Sequence, residues 1–289
     1  MSNKYHEGKA CDAVLCYIEA HDGTRCDRDK ICLPELEGHK FPIELTCQIE
    51  GRLLAFEHTS IQAFENQVEL SIHAAAFFKP IERTISSVLP HSEKYMLYVP
   101  VTATQELKGL TPRKKEQTRG VIIDWVRKLA PTLPVSPCFG KLNWQSVPGV
   151  PFPMCLCKSG EASDPDEPIW IIRVVERDLS EARQNRIRRA YKERVEKLAA
   201  WKRDSNARTV LILETIEGPV QWKVADVVLD IANATENRPD AIYLVMTHND
   251  HQWWVSPLLV DCRSIHELNE PKQWAWYIDP KSLRSLTGR

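Results

Sequence analysis

The chain has 289 residues, of which 43% are hydrophobic and 27% are charged. These proportions are typical of folded globular proteins and argue against global disorder, and no apolar run is long enough to span a bilayer. Because 38 Lys and Arg side chains nearly balance 39 Asp and Glu side chains, a strongly cationic protein that coats nucleic acid is excluded.

Two elements are predicted before residue 60. The spacing of apolar residues over 10–20 predicts a helix. Apolar and polar residues then alternate over 43–59, interrupted only by Glu50-Gly51. This alternation predicts a β-hairpin with a two-residue turn, one core face and one more polar face.

The rest of the chain alternates between helical and strand patterns. Helices are predicted over 66–88, through 121–129, over 178–203 and over 221–234. Strands are predicted over 95–101, 152–157, 169–175, 209–214, 241–246 and 253–260. Together with the hairpin, these elements predict an α/β protein with a mixed sheet.

The cysteines indicate a compartment. Nine is an odd number, and the spacings do not match those of zinc knuckles or ribbons. The first ten residues lack the apolar stretch of a signal peptide. We therefore expect reduced thiols and a cytoplasmic protein that does not contact a membrane.

The hairpin brings two acids together. If Glu50-Gly51 is the turn, Ile49 pairs with Arg52, and Glu44 then falls opposite Glu57 on the same face. Opposed like charges destabilise a sheet and raise each other's pKa. A hard divalent cation such as Mg²⁺ between the carboxylates would remove this penalty. The alternative is a solvated hairpin with two exposed glutamates.

The order of these features resembles the PD-(D/E)XK nuclease-like superfamily. Its αβββαβ core corresponds in order to helix 10–20, hairpin 43–59, helix 178–203 and strand 209–214. The resemblance implies a restriction-endonuclease-like core formed by residues 1–60 and 178–289, with a C-terminal sheet extension. Residues 61–177 would be a large inserted α+β region.

The resemblance also implies roles for single residues. Glu44 matches the first acid of the motif and Glu57 matches the Glu of ExK, so both would bind Mg²⁺ or Mn²⁺. Glu19 on the first helix would match an acid that supports the metal. The expected substrate is DNA, cut by a metal-activated water during restriction, repair or phage defence.

One position departs from the motif. Thr59 stands where ExK has its lysine, which orients the attacking water and stabilises the phosphate. Superfamily members relocate this lysine to the following helix, where Lys197 and Arg194 are candidates. The alternative is that both cations lie along the core edge and pair with Glu193 or Glu196.

Two further features have a structural and a functional interpretation. By alternation His58 lies on the core face, either as a satisfied core histidine or as a brace for the site. The helix 178–203 is basic in its first half, so its side chains either contact phosphates or form a solvated face. The basic residues concerned are Arg183, Arg186, Arg188, Arg189 and Lys192.

Three function classes remain, because common nucleotide-binding, zinc-protease and serine-hydrolase motifs are absent from the sequence. The first is a metal-dependent DNA nuclease. The second is a nuclease-like fold without catalysis that binds nucleic acid or a protein. The third is an unrelated α/β protein whose hairpin acids are exposed. The sequence leaves the oligomeric state open, a homodimer included.

Overall fold

A computed structural model describes most of the chain in two units. One unit comprises Met1–Ala63 with Glu181–Arg289, and the other comprises Phe64–Ser180. The residues described are 4–62, 67–135, 142–161, 168–174, 180–216, 221–247, 252–261, 263–267 and 276–287.

The described residues form helices and strands in alternation. The helices are α1 (Lys4–Asp22), α2 (Gln67–Ser86), α3 (Ala103–Lys108), α4 (Pro112–Leu129), α5 (Ser180–Ser205) and α6 (Gln221–Asn233). The strands before α5 are β1 (Leu45–Ile49), β2 (Arg52–Ser60), β3 (Glu93–Pro100), β4 (Cys155–Glu161) and β5 (Ile169–Val174). Those after α5 are β6 (Arg208–Thr215), β7 (Ala241–Met246), β8 (Trp253–Val260), β9 (Arg263–Ser264) and β10 (Trp276–Ile278). The predicted mixed α/β class is confirmed.

The hairpin has the predicted register. Ile49 pairs with Arg52, and the ladder continues to the pair of Leu45 with Phe56. Glu50 and Gly51 have φ angles of 50° and 76°, the positive values that a tight two-residue hairpin turn requires. The turn therefore fixes which side chains of β1 and β2 share a face.

The first unit is built on a mixed sheet in the order β1-β2-β6-β7-β8-β10, with β9 beside β8. Strands β2, β6 and β7 run parallel, whereas β1 and β8 are antiparallel to their neighbours β2 and β7. On the other edge of β1, Cys32 forms an antiparallel bridge with Thr46. The segment at Cys32, β1 and β2 thus form three successive antiparallel segments at one edge of the sheet. Helix α5 then leads into β6, which runs parallel to β2.

Helices cover both faces of this sheet. Leu54 and Phe56 of β2 pack with α1, whereas Ala55 packs with α5 and α6. Because side chains of a strand alternate between faces, Glu57 points toward α5 and His58 toward α1. The two faces of β2 therefore place two neighbouring polar residues in separate buried layers.

The second unit has its own core. Its sheet has the order β4-β3-β5, with β3 antiparallel to β4 and parallel to β5. Helices α2, α3 and α4 contribute to an apolar cluster that includes Phe77, Tyr95 and Ile122. Pro80 lies within α2, which covers most of the helix predicted over 66–88. Among the described residues, no helix has both the length and the apolar character needed to cross a membrane.

Candidate active site

Glu57 of β2 is the centre of a buried charge cluster. Its side chain is fully buried, and its Oε1 accepts hydrogen bonds from Arg194 Nη1 and from Lys197 Nζ, both at 2.8 Å. Its Oε2 is also buried and has no hydrogen-bond partner among the described residues. Glu57 is therefore only partly compensated, since one carboxylate oxygen lacks any donor.

Helix α5 presents both cations on one face. Arg194 and Lys197 are three residues apart, which places them on adjacent turns of the same side. Both side chains are partly buried and reach Glu57, whereas Glu193 binds Arg189 instead. The interpretation in which these cations pair along the helix surface is therefore wrong.

Glu44 lies next to this pair, as the hairpin register predicts. Its backbone N–H donates to the carbonyl of Phe56 at 3.1 Å, which extends the hairpin by one residue beyond β1. The side chain is partly buried and hydrogen-bonded to the Glu7 carboxyl. Because Glu57 is buried and Glu44 only partly accessible, the alternative of a solvated hairpin with exposed acids is wrong.

The surroundings of Glu44 favour its neutral form. Burial raises the pKa of Glu44 to about 9, and the hydrogen bond to Glu7 and the charges of Glu7 and Glu57 act in the same direction. Arg194 opposes this shift. At neutral pH, Glu44 is therefore protonated in the metal-free protein.

Burial also raises the pKa of Glu57, whereas Lys197 and Arg194 act to lower it. The carboxyl is ionised when it accepts from these two cations, because each hydrogen bond favours the charged form. The cluster thus combines the ionised Glu57, two cations and the protonated Glu44. Such perturbed groups in contact are typical of functional sites.

Glu7 is a site residue that the sequence analysis missed. It is 7% exposed and lies on α1, which begins at Lys4 rather than near residue 10. The sequence feature that indicates Glu7 is the apolar stripe through Val14 and Ile18. This stripe continues backward through Cys11 to Glu7 at intervals of three or four residues. An acid that continues an apolar stripe is directed into the core.

Glu19 occupies a different place from the one expected for a metal-supporting acid. Its Oε1 accepts a hydrogen bond from the backbone N–H of Cys26 at 2.6 Å and an ion pair from Arg28. Arg28 also binds Asp12 at 3.1 Å. Glu19 lies twelve residues beyond Glu7, about 18 Å along the helix axis. The structure places Glu7, and not Glu19, beside Glu44.

A small cavity adjoins Glu7 and Glu44. Its volume is about 10 Å³, close to the room that one water molecule occupies. The cavity is lined by Glu7, Leu33, Glu35, Leu36, Glu44 and Thr287. A single small occupant with affinity for oxygen ligands fits this space.

Thr59 is buried in β2, where it pairs with Leu213 of β6. It lies two residues after Glu57 and therefore on the same face of the strand. The cations nevertheless reach Glu57 from α5 and not from this position. Lys197 and Thr59 thus approach Glu57 from different elements, α5 and β2.

On the opposite face, His58 forms a separate buried network. Its Nε2 lies 2.9 Å from Glu214 Oε2, and Thr247 Oγ1 donates to Glu214 Oε1 at 2.9 Å. Burial acts to raise the pKa of Glu214, but the hydrogen bond and charge of His58 hold it below its ordinary value. The interpretation of His58 as a satisfied core histidine is confirmed.

The basic half of α5 does not form one continuous surface. Arg183 is buried, whereas Arg188, Arg189 and Lys192 are exposed. Arg189 pairs with Glu193, and Arg188 contacts Asn185. The exposed cations lie on the same helix as Lys197, one to three turns before it.

In the described part of the chain, neither metal-ligand geometry nor similarity to known proteins identifies this site. Within the described ranges, no group of three or more His, Cys, Asp or Glu side chains is arranged to hold a metal ion. Comparison with protein-family models, with curated proteins and with solved structures gives no match. Fold and site together define a mixed α/β protein with a buried acid and cation cluster.

Proposed function

We propose that the protein is a metal-dependent nuclease that cuts DNA phosphodiesters at the Glu44 and Glu57 cluster. The observation that carries this proposal is the 2.8 Å contact between Lys197 Nζ and Glu57 Oε1. Lys197 of α5 reaches Glu57, the second hairpin acid. This lysine would supply the cationic group that Thr59 lacks.

The topology supports the same proposal. The chain order is helix α1, the Cys32 bridge segment, strands β1 and β2, helix α5 and the parallel strand β6. With the Cys32 bridge counted as the first β segment, this order is compatible with the αβββαβ order of a restriction-endonuclease-like core, which supports the proposal. The second unit enters between β2 and α5, so it is an insertion relative to that order.

The residues present fit Mg²⁺ or Mn²⁺. Hard divalent cations prefer carboxylate oxygens, and Glu57 Oε2 is a buried carboxylate oxygen that has no donor in the described part of the chain. Glu44 would complete the pair, with Glu7 adjacent to it. A bound cation would supply a water of lowered pKa and stabilise charge on the phosphate.

The protein side chains would then have distinct roles. Lys197 and Arg194, held in place by Glu57, would offer N–H donors to the negative charge that develops on the scissile phosphate. Glu44 would release its proton to solvent on binding the cation. The exposed cations Arg188 and Lys192 would contact neighbouring phosphates of the DNA. We place this activity in the cytoplasm, where the reduced thiols and DNA coexist.

A second candidate is a nuclease-like module that binds DNA without cutting it. The observation that favours it is that Glu57 Oε1 is already held by two cations and that burial raises the pKa of Glu44 and keeps this acid neutral. Such a cluster does not require a metal to balance its charge. Both candidates share the fold and differ in chemistry.

One assay separates these candidates. Purified protein is incubated with supercoiled plasmid and with single-stranded DNA in Mg²⁺, Mn²⁺ or EDTA, and binding is measured in parallel. The nuclease proposal predicts cleavage with Mg²⁺ or Mn²⁺ that Glu57→Gln abolishes. The matched control is Glu50→Gln, because Glu50 is an exposed acid in the same hairpin. DNA binding without cleavage under all metal conditions would favour the binding module.

A further inference from the structure

The C-terminal strap, residues 276–287, ends at the acid cluster. Its strand β10 pairs with β8, and Leu283 is buried in the core beneath α1. Lys9 Nζ donates to the carbonyl of Pro280 at 3.0 Å, and Asp12 accepts from the backbone N–H of Arg284 at 2.7 Å. Contacts from two successive turns of α1 therefore hold the strap along this helix.

The strap reaches α1 most closely at Gly8. A Cβ atom built on Gly8 would lie 2.7 Å from the backbone nitrogen of Leu286 and 2.9 Å from Thr287 Oγ1. Contacts this short do not occur for a real side chain, so the approach depends on glycine at this position. Gly8 directly follows Glu7, which lies in the acid cluster.

Thr287 is the residue that the strap delivers to the cluster. It is 6% exposed and lines the cavity of about 10 Å³ with Glu7 and Glu44. Its Oγ1 is buried and has no hydrogen-bond partner among the described residues. A buried hydroxyl without a hydrogen-bond partner destabilises the folded protein, unless an ion or molecule in the adjacent cavity interacts with it.

We propose that Thr287 is part of the metal site and that its hydroxyl supplies an oxygen to the cation bound by Glu44, from the side of Glu44 that faces Glu7. Hydroxyl oxygen is a suitable ligand for Mg²⁺, as in the phosphate-binding loop where a Ser or Thr contacts this ion. This inference rests on the proposed function, because it assumes a cation at the acid cluster.

The test compares Mn²⁺ affinities, measured by electron paramagnetic resonance, among variants of the full chain. Thr287→Val keeps the shape of the side chain and removes the hydroxyl, whereas Thr287→Ser keeps the hydroxyl. We expect Thr287→Val to weaken Mn²⁺ binding about tenfold, in the range found for residues that support metal ligands. Thr287→Ser should stay close to wild type.

Two more variants complete the test. Ser285→Ala, an exposed position of the same strap, should leave Mn²⁺ affinity unchanged. Gly8→Ala should weaken it, since the added methyl group displaces residues 286–287. Equal Mn²⁺ affinities of wild type and Thr287→Val would overturn the role of Thr287 alone. Absence of Mn²⁺ binding in the wild type would overturn the proposed metal function and this role with it.

Discussion

Lys197 Nζ lies 2.8 Å from Glu57 Oε1, although 140 residues separate the two along the chain. The contact exists because β2 directs Glu57 away from α1 and toward α5, and because α5 packs on that face of the sheet. Arg194 reaches the same oxygen at the same distance. A buried carboxylate with two cations on one oxygen is costly to disrupt and suited to anion chemistry.

The shared oxygen predicts a non-additive effect on stability. Lys197→Met and Arg194→Met should each cost about 1–2 kcal/mol, because the other cation still compensates Glu57. The double variant should cost about 3–5 kcal/mol, since it leaves a buried charge without a partner. Urea unfolding of both single variants and the double variant measures this coupling.

The control for this cycle is Lys192→Met, an exposed position on the same helix, which should change the free energy of unfolding by less than about 0.5 kcal/mol. If the cost of the double variant equals the sum of the two single-variant costs, the cations do not share Glu57.

The raised pKa of Glu44 predicts a pH-dependent effect. Between the ordinary pKa of a glutamate and about 9, the native state binds one more proton than the unfolded state, so wild-type stability falls as pH rises. The glutamine in Glu44→Gln does not titrate. The free energy of unfolding of this variant minus that of wild type should therefore rise between pH 5 and 9. We expect a gain of about 1–3 kcal/mol.

Thermal unfolding of wild type and Glu44→Gln without metal, at several pH values, checks this. Glu50→Gln in the exposed turn should follow the wild-type curve. A constant difference between Glu44→Gln and wild type at all pH values would contradict a protonated Glu44.

Much of this site follows from local patterns. The alternation over 43–59 and the Glu50-Gly51 turn fix the register, and the register alone places Glu44 opposite Glu57. The interval between Arg194 and Lys197 likewise gives one helical face. These residues could be predicted because periodicity determines which side chains share a face.

Glu7 and Thr287 could not be predicted in the same way. Glu7 lies in the first turns of α1, where the polar residues preceding Ala10 hide the helical pattern. Thr287 reaches the site through the path of the strap over Gly8, which depends on tertiary packing. The apolar stripe that continues through Cys11 to Glu7 indicates that Glu7 is directed inward, but it carries no information about which segment of the chain covers Glu7.

We expect substitutions of Glu7 and Glu19 to have different effects on Mn²⁺ affinity, although both are acids on α1. Glu19→Gln should lower stability by about 1–2 kcal/mol, because it weakens the contacts to Arg28 and Cys26, and should leave Mn²⁺ affinity unchanged. Glu7→Gln should weaken Mn²⁺ binding. Calorimetric Mn²⁺ titration with urea unfolding of both variants tests this, and loss of Mn²⁺ affinity in Glu19→Gln alone would reverse the assignment.

The hydrogen-bonded network around His58 predicts that replacing this residue lowers the stability of the fold. His58→Phe should destabilise the protein by about 3–5 kcal/mol, since it leaves Glu214 buried without its histidine partner. The exposed His39→Gln serves as the control and should have little effect. Urea unfolding measures both, and an effect of His58→Phe below about 1 kcal/mol would contradict an essential pair.

The most direct test of the metal site is crystallographic. A crystal soaked in Mn²⁺ and measured near the manganese absorption edge would locate bound cations by anomalous scattering. The proposed function predicts a peak between the carboxylates of Glu44 and Glu57, within coordination distance of Glu57 Oε2. The absence of a peak there at saturating Mn²⁺, with Lys197 and Arg194 still bound to Glu57, would contradict a metal-dependent active site at this cluster.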